Sequence, residues 1–310
     1  MVDISVVICT HNRAEMLRGA LESLCRQAIS PNLFEIIVVD NGSTDHTADV
    51  LGDVQTDYPW QSIRVLHEGL LGLGIARNKA LFSARGKYIA YMDDDARATP
   101  HWLPTMLALI QERPDEIICL GGPILPFYTS FKPTWFKDQY ESRSLGVEMR
   151  DLRIGESFSG SNMIWSRKRL LAIGGFSEGV GVKGAELSLG EETDTFLRLW
   201  RKYDAPSLLY APELIMWHWV PPFKMHVSYR LKRAFVAGQI AVKIGNFEYG
   251  IAHAFLGACK GLVFGLVEGI LRFRRYPFWQ NWIIEEGGPL LINLGTILAV
   301  CDIYVSVRQD

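Results

Sequence analysis

The sequence predicts an α/β protein: a mostly parallel sheet with helices on both faces, followed by an apolar helical segment. In the first half of the chain, short β-branched apolar runs alternate with helix-length stretches, which is the pattern of βαβ units. Turn residues such as Asn41-Gly42-Ser43 stand at the junctions. After about Pro222 no strand-like run remains and long apolar stretches take over. This separates a sheet-bearing domain, residues 1–222, from a helical segment, residues 223–310.

Residues 4–9 read as a buried strand, and 14–28 as an amphipathic helix that stops before Pro31. Residues 35–39 form a second strand, and Thr44 is placed to cap a helix running toward Asp57. A third strand covers 63–66, a helix 72–84 and a fourth strand 88–92, with another helix beginning near His101. Residues 121–156, with prolines and several aromatics, read as a loop-rich insertion over the sheet. Strands at 158–165 and 206–210 flank a helix at Glu191–Lys202.

A chain of 310 residues can bury a sizeable core. Its hydrophobic share of 48% is at the upper end for a soluble protein, and the excess is unevenly spread. A net charge of -2 gives no bias toward nucleic acid as a partner. Cys9, Cys25, Cys119, Cys259 and Cys301 are scattered without a CxxC pair, so neither a zinc site nor a disulfide framework is indicated and a reducing compartment is expected. The N-terminal residues run straight into a strand, and no signal peptide is expected.

Ligands of such sheets sit outside the carboxyl ends of the strands. That rule selects Thr10, Asn12 and Arg13, then Asp40 to Ser43, then Asp93, Asp94 and Asp95. Three successive carboxylates repel one another unless a cation gathers them, and a hard divalent ion suits oxygen ligands. The alternative is a solvated acidic turn. Asp40 can accept hydrogen bonds from a base or ribose, or can close an Asx-turn. Gly72-Leu73-Gly74-Ile75-Ala76-Arg77 opens a helix, and Arg77 can reach a phosphate, although the run lacks the third glycine of a dinucleotide fingerprint. Glu191 and Glu192 open a helix, either as complements of its dipole or as a general base. His218, between Trp217 and Trp219, is either a metal ligand or a packed core histidine.

The apolar stretches at 251–271 and 289–307 are about long enough to cross a bilayer, but Lys260 falls near the middle of the first. Arg230, Lys232 and Arg233 precede that run; Arg272, Arg274, Arg275, Tyr276, Phe278, Trp279 and Trp282 follow it. Basic and aromatic residues together predict attachment to a membrane, on its cytoplasmic side, by interfacial or hairpin-like helices. A pair of helices buried on the rest of the protein is the alternative.

Taken in order, Ser-Val-Val-Ile-Cys-Thr-His-Asn-Arg, Val-Val-Asp-Asn-Gly-Ser-Thr-Asp, Gly-Ile-Ala-Arg-Asn-Lys-Ala, Tyr-Met-Asp-Asp-Asp, Gly-Ser-Asn-Met, Gly-Gly-Phe and Gly-Glu-Glu-Thr-Asp resemble the family 2 glycosyltransferases. The resemblance runs from Ser5 to about His218 and implies the GT-A fold. It also implies an inverting, metal-dependent transfer from a nucleotide-diphosphate sugar to a saccharide or lipid-linked acceptor, as in polysaccharide, glycan or glycolipid assembly. On that resemblance Thr10 and Asp40 would bind the nucleoside and Arg77 the base or phosphates, with Asn12, Arg13 and Asp94 beside the donor. Asp93 would approach the ribose, and Asp95 would hold Mg²⁺ or Mn²⁺ with Asp93 and His218. Asn162 would line the sugar pocket, and Asp194 would lie on the acceptor side; Trp135, read from the aromatic-rich 121–156 region alone, is either an acceptor-side stacking residue or part of a packed flap. One departure stands out: where the family usually has Glu-Asp, this chain has Glu191-Glu192, so a longer side chain takes the place of the base. Glu192 is favoured over Glu191. A catalytically silent binding member is the alternative.

Overall fold

A computed structural model describes residues 2–113, 116–178, 190–204, 206–245 and 250–307. The chain forms two compact units: Met1–Phe127 with Glu141–Gly179 and Glu191–Trp219, and Tyr128–Tyr140 with Val180–Gly190 and Val220–Asp310.

The first unit is built on strands β1 (Ile4–Thr10), β2 (Phe34–Asp40), β3 (Ile63–His67) and β4 (Tyr88–Asp93), which lie parallel in the order β3-β2-β1-β4. The short strands β5 (Ala96–Ala98), β6 (Cys119–Gly121), β7 (Ile124–Phe127), β8 (Arg150–Asp151), β9 (Met163–Ser166), β10 (Leu208–Tyr210) and β11 (Met216–Trp219) follow. The large sheet continues β4-β9-β6-β10-β8, with β9 antiparallel to both its neighbours, and a second sheet runs β5-β11-β7. Register decides where the chemistry falls. Thr10 pairs with Asp40, Asp40 with His67, and Cys9 with Asp93, so the carboxyl ends of all four parallel strands finish along one edge.

Helices cover both faces, as the β-branched, doubly buried strands require. On one side Ile4, Val6 and Ile8 of β1 pack with Leu17 and Leu21 of α1 (Ala14–Cys25), Val50 of α2 (Thr47–Asp57) and Trp102 of α4 (Trp102–Glu112). On the other, Val7 and Ile37 share a core with Ala80 of α3 (Leu73–Ser83), Leu170 of α5 (Arg167–Ala172) and Phe196 of α6 (Glu191–Lys202).

The local differences from expectation have tertiary causes. Helix α1 ends at Cys25, and the Ala28 N–H donates to Pro100 O at 2.9 Å instead of continuing the helix. Thr44 is not a cap: its N–H donates to Asn12 Oδ1, and α2 starts at Thr47, whose N–H donates to Asp45 Oδ1. The stretch at 158–165 becomes a 3₁₀ turn, Gly160–Asn162, before β9.

In the second unit α7 (Val227–Lys243), α8 (Ile251–Arg272), α9 (Trp279–Trp282) and α10 (Gly288–Val300) follow one another. Glycines let α7 and α10 cross closely: a β-carbon at Gly238 would lie 2.0 Å from Ile292 O, and one at Gly295 2.2 Å from Phe235 O. Helix α10 ends well short of 307, because Asp302 adopts φ 59° and the Ile303 N–H returns to Leu298 O. Phe136, beside Trp135 and Tyr140, packs on Val220 and Met225, and Asn281 Nδ2 donates to Trp135 O at 2.7 Å.

Candidate active site

The acidic triplet leaves β4 and enters β5, and β11 lies against β5 with His218 opposite Ala96. That pairing, invisible in the sequence, carries His218 to the triplet. Its Nε2 is 3.4 Å from Asp93 Oδ2 and 3.2 Å from Asp95 Oδ1, and one ligand atom from each of the three residues lies within 4.8 Å of the others. His218 Nδ1 is 3.0 Å from Trp219 O, and a carbonyl only accepts, so Nδ1 carries the hydrogen. In the neutral ring Nε2 then presents a lone pair to two carboxylates. Among the described residues, buried Asp95 Oδ1 receives no hydrogen bond. Three acceptors facing one another are satisfied by a proton on Nε2 or by a divalent cation, and two carboxylates with one imidazole are a fitting donor set for Mg²⁺ or Mn²⁺.

Two arginines balance the remaining charge. Arg13 Nη1 donates to Asp94 Oδ1 at 3.0 Å and to Asp95 Oδ2 at 2.8 Å. The gathering cation inferred for the triplet is therefore partly supplied by the chain itself. Burial pushes the Asp94 carboxyl up to about 6, with Asp95 adding to the rise and Arg13 opposing it. Burial would also raise Asp93, but His218 and the charges of Arg77 and Arg13 hold it down at about 2.

Arg77, 2% exposed, is the second cation. Nη1 donates to Glu192 Oε1 at 3.0 Å and lies 3.5 Å from Glu191 Oε1, while Nη2 is 3.6 Å from Asp93 Oδ1. Glu191 is 3% exposed, and burial followed by the neighbouring Glu192 charge pushes its carboxyl up to about 8. Glu192 is the more open of the two, with 22% of its side chain exposed.

Several of the expected donor ligands also make hydrogen bonds that hold the site's frame. Thr10, 2% exposed, donates from Oγ1 to Asp94 Oδ2 at 2.8 Å and so props the triplet. Asn12, at φ 52°, staples the loops after β1 and β2: its Oδ1 accepts from Thr44 N at 2.7 Å, and its N–H donates to Ser43 Oγ. Asp40 Oδ1 accepts from Ser43 N at 2.9 Å, so the turn weighed as its alternative is present, and Oδ2 lies 3.4 Å from His67 Nδ1. Asn162 is fully buried, accepts from Trp102 Nε1 and donates to Pro123 O and Leu214 O. With its amide committed in this way, it ties the walls together. Asp194 accepts from Ser177 Oγ and Arg198 Nε. Trp135 lies in the second unit.

Three features escaped the sequence reading. Asn41 stitches the loop after β3, accepting from Gly72 N and donating to Glu68 O and Leu70 O. Asn78 exchanges two hydrogen bonds with the backbone of Phe176. A β-carbon at Gly160 would lie 2.0 Å from Glu192 Oε1 and 2.2 Å from Arg77 Nη2. The glycine of Gly-Ser-Asn-Met was the available signal for the last of these.

Parallel strands that end at an acidic triplet, with the imidazole of β11 and the carboxylates of α6 beside it, make an architecture of the GT-A type. The chain matches the glycosyl transferase family 2 model over residues 5–168, more than half its length, and belongs to that family. It is a glycosyltransferase. It is similar to the glucosyl-dolichyl phosphate glucuronosyltransferase of Haloferax volcanii, 25% identical over 76% of this chain and 75% of the relative. It is also similar to the succinoglycan biosynthesis protein ExoM of Rhizobium meliloti, 24% identical over 92% and 91% of the two chains. Among solved structures, a Pyrobaculum calidifontis mannosyltransferase in complex with GDP-Man and Mn²⁺ shares the fold at TM-score 0.59, with 16% identity over 96% of this chain and 73% of that one. S. aureus TarS in complex with UDP-GlcNAc does so at TM-score 0.55, with 19% identity over 96% and 81%.

Proposed function

We propose that this chain transfers a glycosyl group from a nucleotide-diphosphate sugar to an acceptor hydroxyl with inversion at the anomeric carbon, in polysaccharide, glycan or glycolipid assembly. The observation that carries this reading is the meeting of the Asp93, Asp95 and His218 cluster with the Arg77–Glu192 ion pair at one sheet edge. Asp93, Asp95 and His218 would hold Mg²⁺ or Mn²⁺. When bound, that ion supplies positive charge to the departing diphosphate. Neighbours of the same fold bind nucleotide sugars, one of them together with Mn²⁺, which supports both partners.

Glu192 is the base. It accepts the proton of the acceptor hydroxyl as that oxygen bonds to the anomeric carbon and the carbon–phosphate oxygen bond breaks. A single displacement of this kind inverts the centre. Glu191, raised to about 8 and buried, holds its own proton at neutral pH and stands behind the reacting pair. The relative named for acting on glucosyl-dolichyl phosphate supports a lipid-linked saccharide as acceptor.

The C-terminal helices attach the enzyme to the cytoplasmic side of a membrane. The stretches Ile251–Arg275 and Trp279–Val300 have mean hydropathies of 1.7 and 1.4 over windows only 11% and 22% buried. Helix α8 displays Val263, Phe264, Val267 and Ile270 to the outside, which argues against a helix pair buried in the protein. The unpaired cysteines suit a reducing compartment.

The test is a screen of nucleotide sugars with Mn²⁺ against polyprenyl-phosphate-linked saccharides, with product stereochemistry read by NMR. A product that retains the donor's anomeric configuration overturns the single displacement. Donor turnover unaffected by EDTA overturns the metal's role.

A further inference from the structure

We infer that Arg77 is a positioning residue for the proton-accepting carboxylate, and that it acts through Glu192 without touching the donor. The inference rests on the reading of Glu192 as the base. Arg77 sits at the junction of two elements far apart in sequence, the end of β4 and the start of α6, and faces a carboxylate from each: Asp93 at 3.6 Å and Glu192 at 3.0 Å, with Glu191 at 3.5 Å.

Its guanidinium has no freedom to reach a ligand. Its carbon lies 5.9 Å from the Tyr91 ring centre and 5.4 Å from that of Phe176. The Tyr91 hydroxyl donates to the Arg77 carbonyl, fixing the backbone of the same residue. Gly160 closes the remaining side, since a β-carbon there would fall 2.2 Å from Arg77 Nη2. A side chain only 3% exposed and held on every side serves its neighbours. By occupying Glu192 Oε1, the Nη1 hydrogen fixes the plane of that carboxylate and leaves Oε2 as the atom that can accept a proton. A glutamate side chain has rotatable bonds that disperse its carboxylate unless such a tether holds it.

The experiment is a double-mutant cycle on the full chain in detergent, with Arg77→Gln, Glu192→Gln and the pair, reading kcat, KM and UDP or GDP affinity by calorimetry. Arg77→Gln alone is expected to lower kcat by about 10²–10³-fold, within the range of a general base's contribution. Nucleotide affinity should change less than threefold, and the double variant should be no slower than Glu192→Gln. Because Arg77 lies among buried carboxylates, Arg77→Lys and a thermal melt accompany the series: the lysine variant keeps the charge and loses the fork, and should fold while remaining at least tenfold slow. Additive losses in the cycle overturn the inference, as does a tenfold weaker nucleotide affinity with kcat spared, which would make Arg77 a donor ligand. If Glu192→Gln is fully active, the base reading itself has failed, and this is told apart by the single variant alone.

Discussion

Arg77 is 2% exposed and Asp95 3%, whereas Ile270 and Leu271 are 70% and 76% exposed. The first unit thus takes charged groups out of water, and the second leaves large apolar side chains in it. Each is costly in isolation. Burying an ionised group is tolerated only where partners replace its hydration, and the first unit supplies them as Arg13 on Asp94 and Asp95 and Arg77 on Asp93 and Glu192. An apolar helix face is tolerated in contact with something other than water. The first unit therefore carries its counter-charges within itself, while the second turns large apolar side chains outward.

The sharpest way to break the first half of that comparison is to remove one member of its charge balance. Glu192→Gln should lower kcat by about 10²–10⁴-fold with little change in donor affinity, and Glu191→Gln should do less. The reverse ranking in steady-state kinetics would move the base to Glu191. Asp95→Ala deletes the orphaned acceptor and should cost about 10²–10³-fold, the scale of losing one preorganised electrostatic stabiliser. An Asp95→Ala variant as active as the parent, with or without added Mn²⁺, would remove the metal cluster from the mechanism.

Gly160→Ala asks how tightly the pair is held. A methyl group 2.0 Å from Glu192 Oε1 must displace the carboxylate, and a misplacement of about 1 Å is worth on the order of 10²-fold in rate. Single-turnover kinetics on a correctly melting Gly160→Ala protein should show that loss; an unaltered rate would mean that Glu192 tolerates displacement.

On the second unit, Phe264→Ser, Val267→Ser and Ile270→Ser together remove apolar groups that are 66%, 58% and 70% exposed. If these meet lipid, vesicle binding measured by flotation should fall more than tenfold, since each buried apolar side chain contributes roughly 1.5–3 kcal/mol, while the melting temperature holds. A melting temperature that collapses, with flotation unchanged, would make the face a protein contact.

The smallest expected effect is a pH slope. Glu191 has a folded value raised from 4.5 to about 8, so its stabilising contribution is complete below pH 4.5 and is lost as pH rises toward 8, where the folded state must ionise a buried acid. Glu191→Gln should flatten the fall in stability across that window and be relatively more stable at pH 8 than at pH 5. Urea midpoints at the two pH values measure it, and an unchanged slope would assign the trend to other groups, Asp94 with its value near 6 first among them.

What the sequence determined by itself was whatever local periodicity and strand-end chemistry encode. The four parallel strands, the helices between them and the acidic triplet at the end of β4 were all legible, because β-branched runs and turn residues act over a few neighbours. The short strands β5, β7 and β11 were not: three or four residues carry no periodicity, and they exist because each finds a partner across the sheet. His218 reached the triplet only through that pairing. The tertiary structure alone decided the internal partners of the motif residues: Thr10 meets Asp94 and Asn162 meets Trp102, 84 and 60 residues away. It also brought Arg77 to Glu192, 115 residues further along the chain. The physical reason is the same in each case: a hydrogen bond satisfies a buried polar group whatever the sequence distance, and a motif names donors and acceptors without naming their partners.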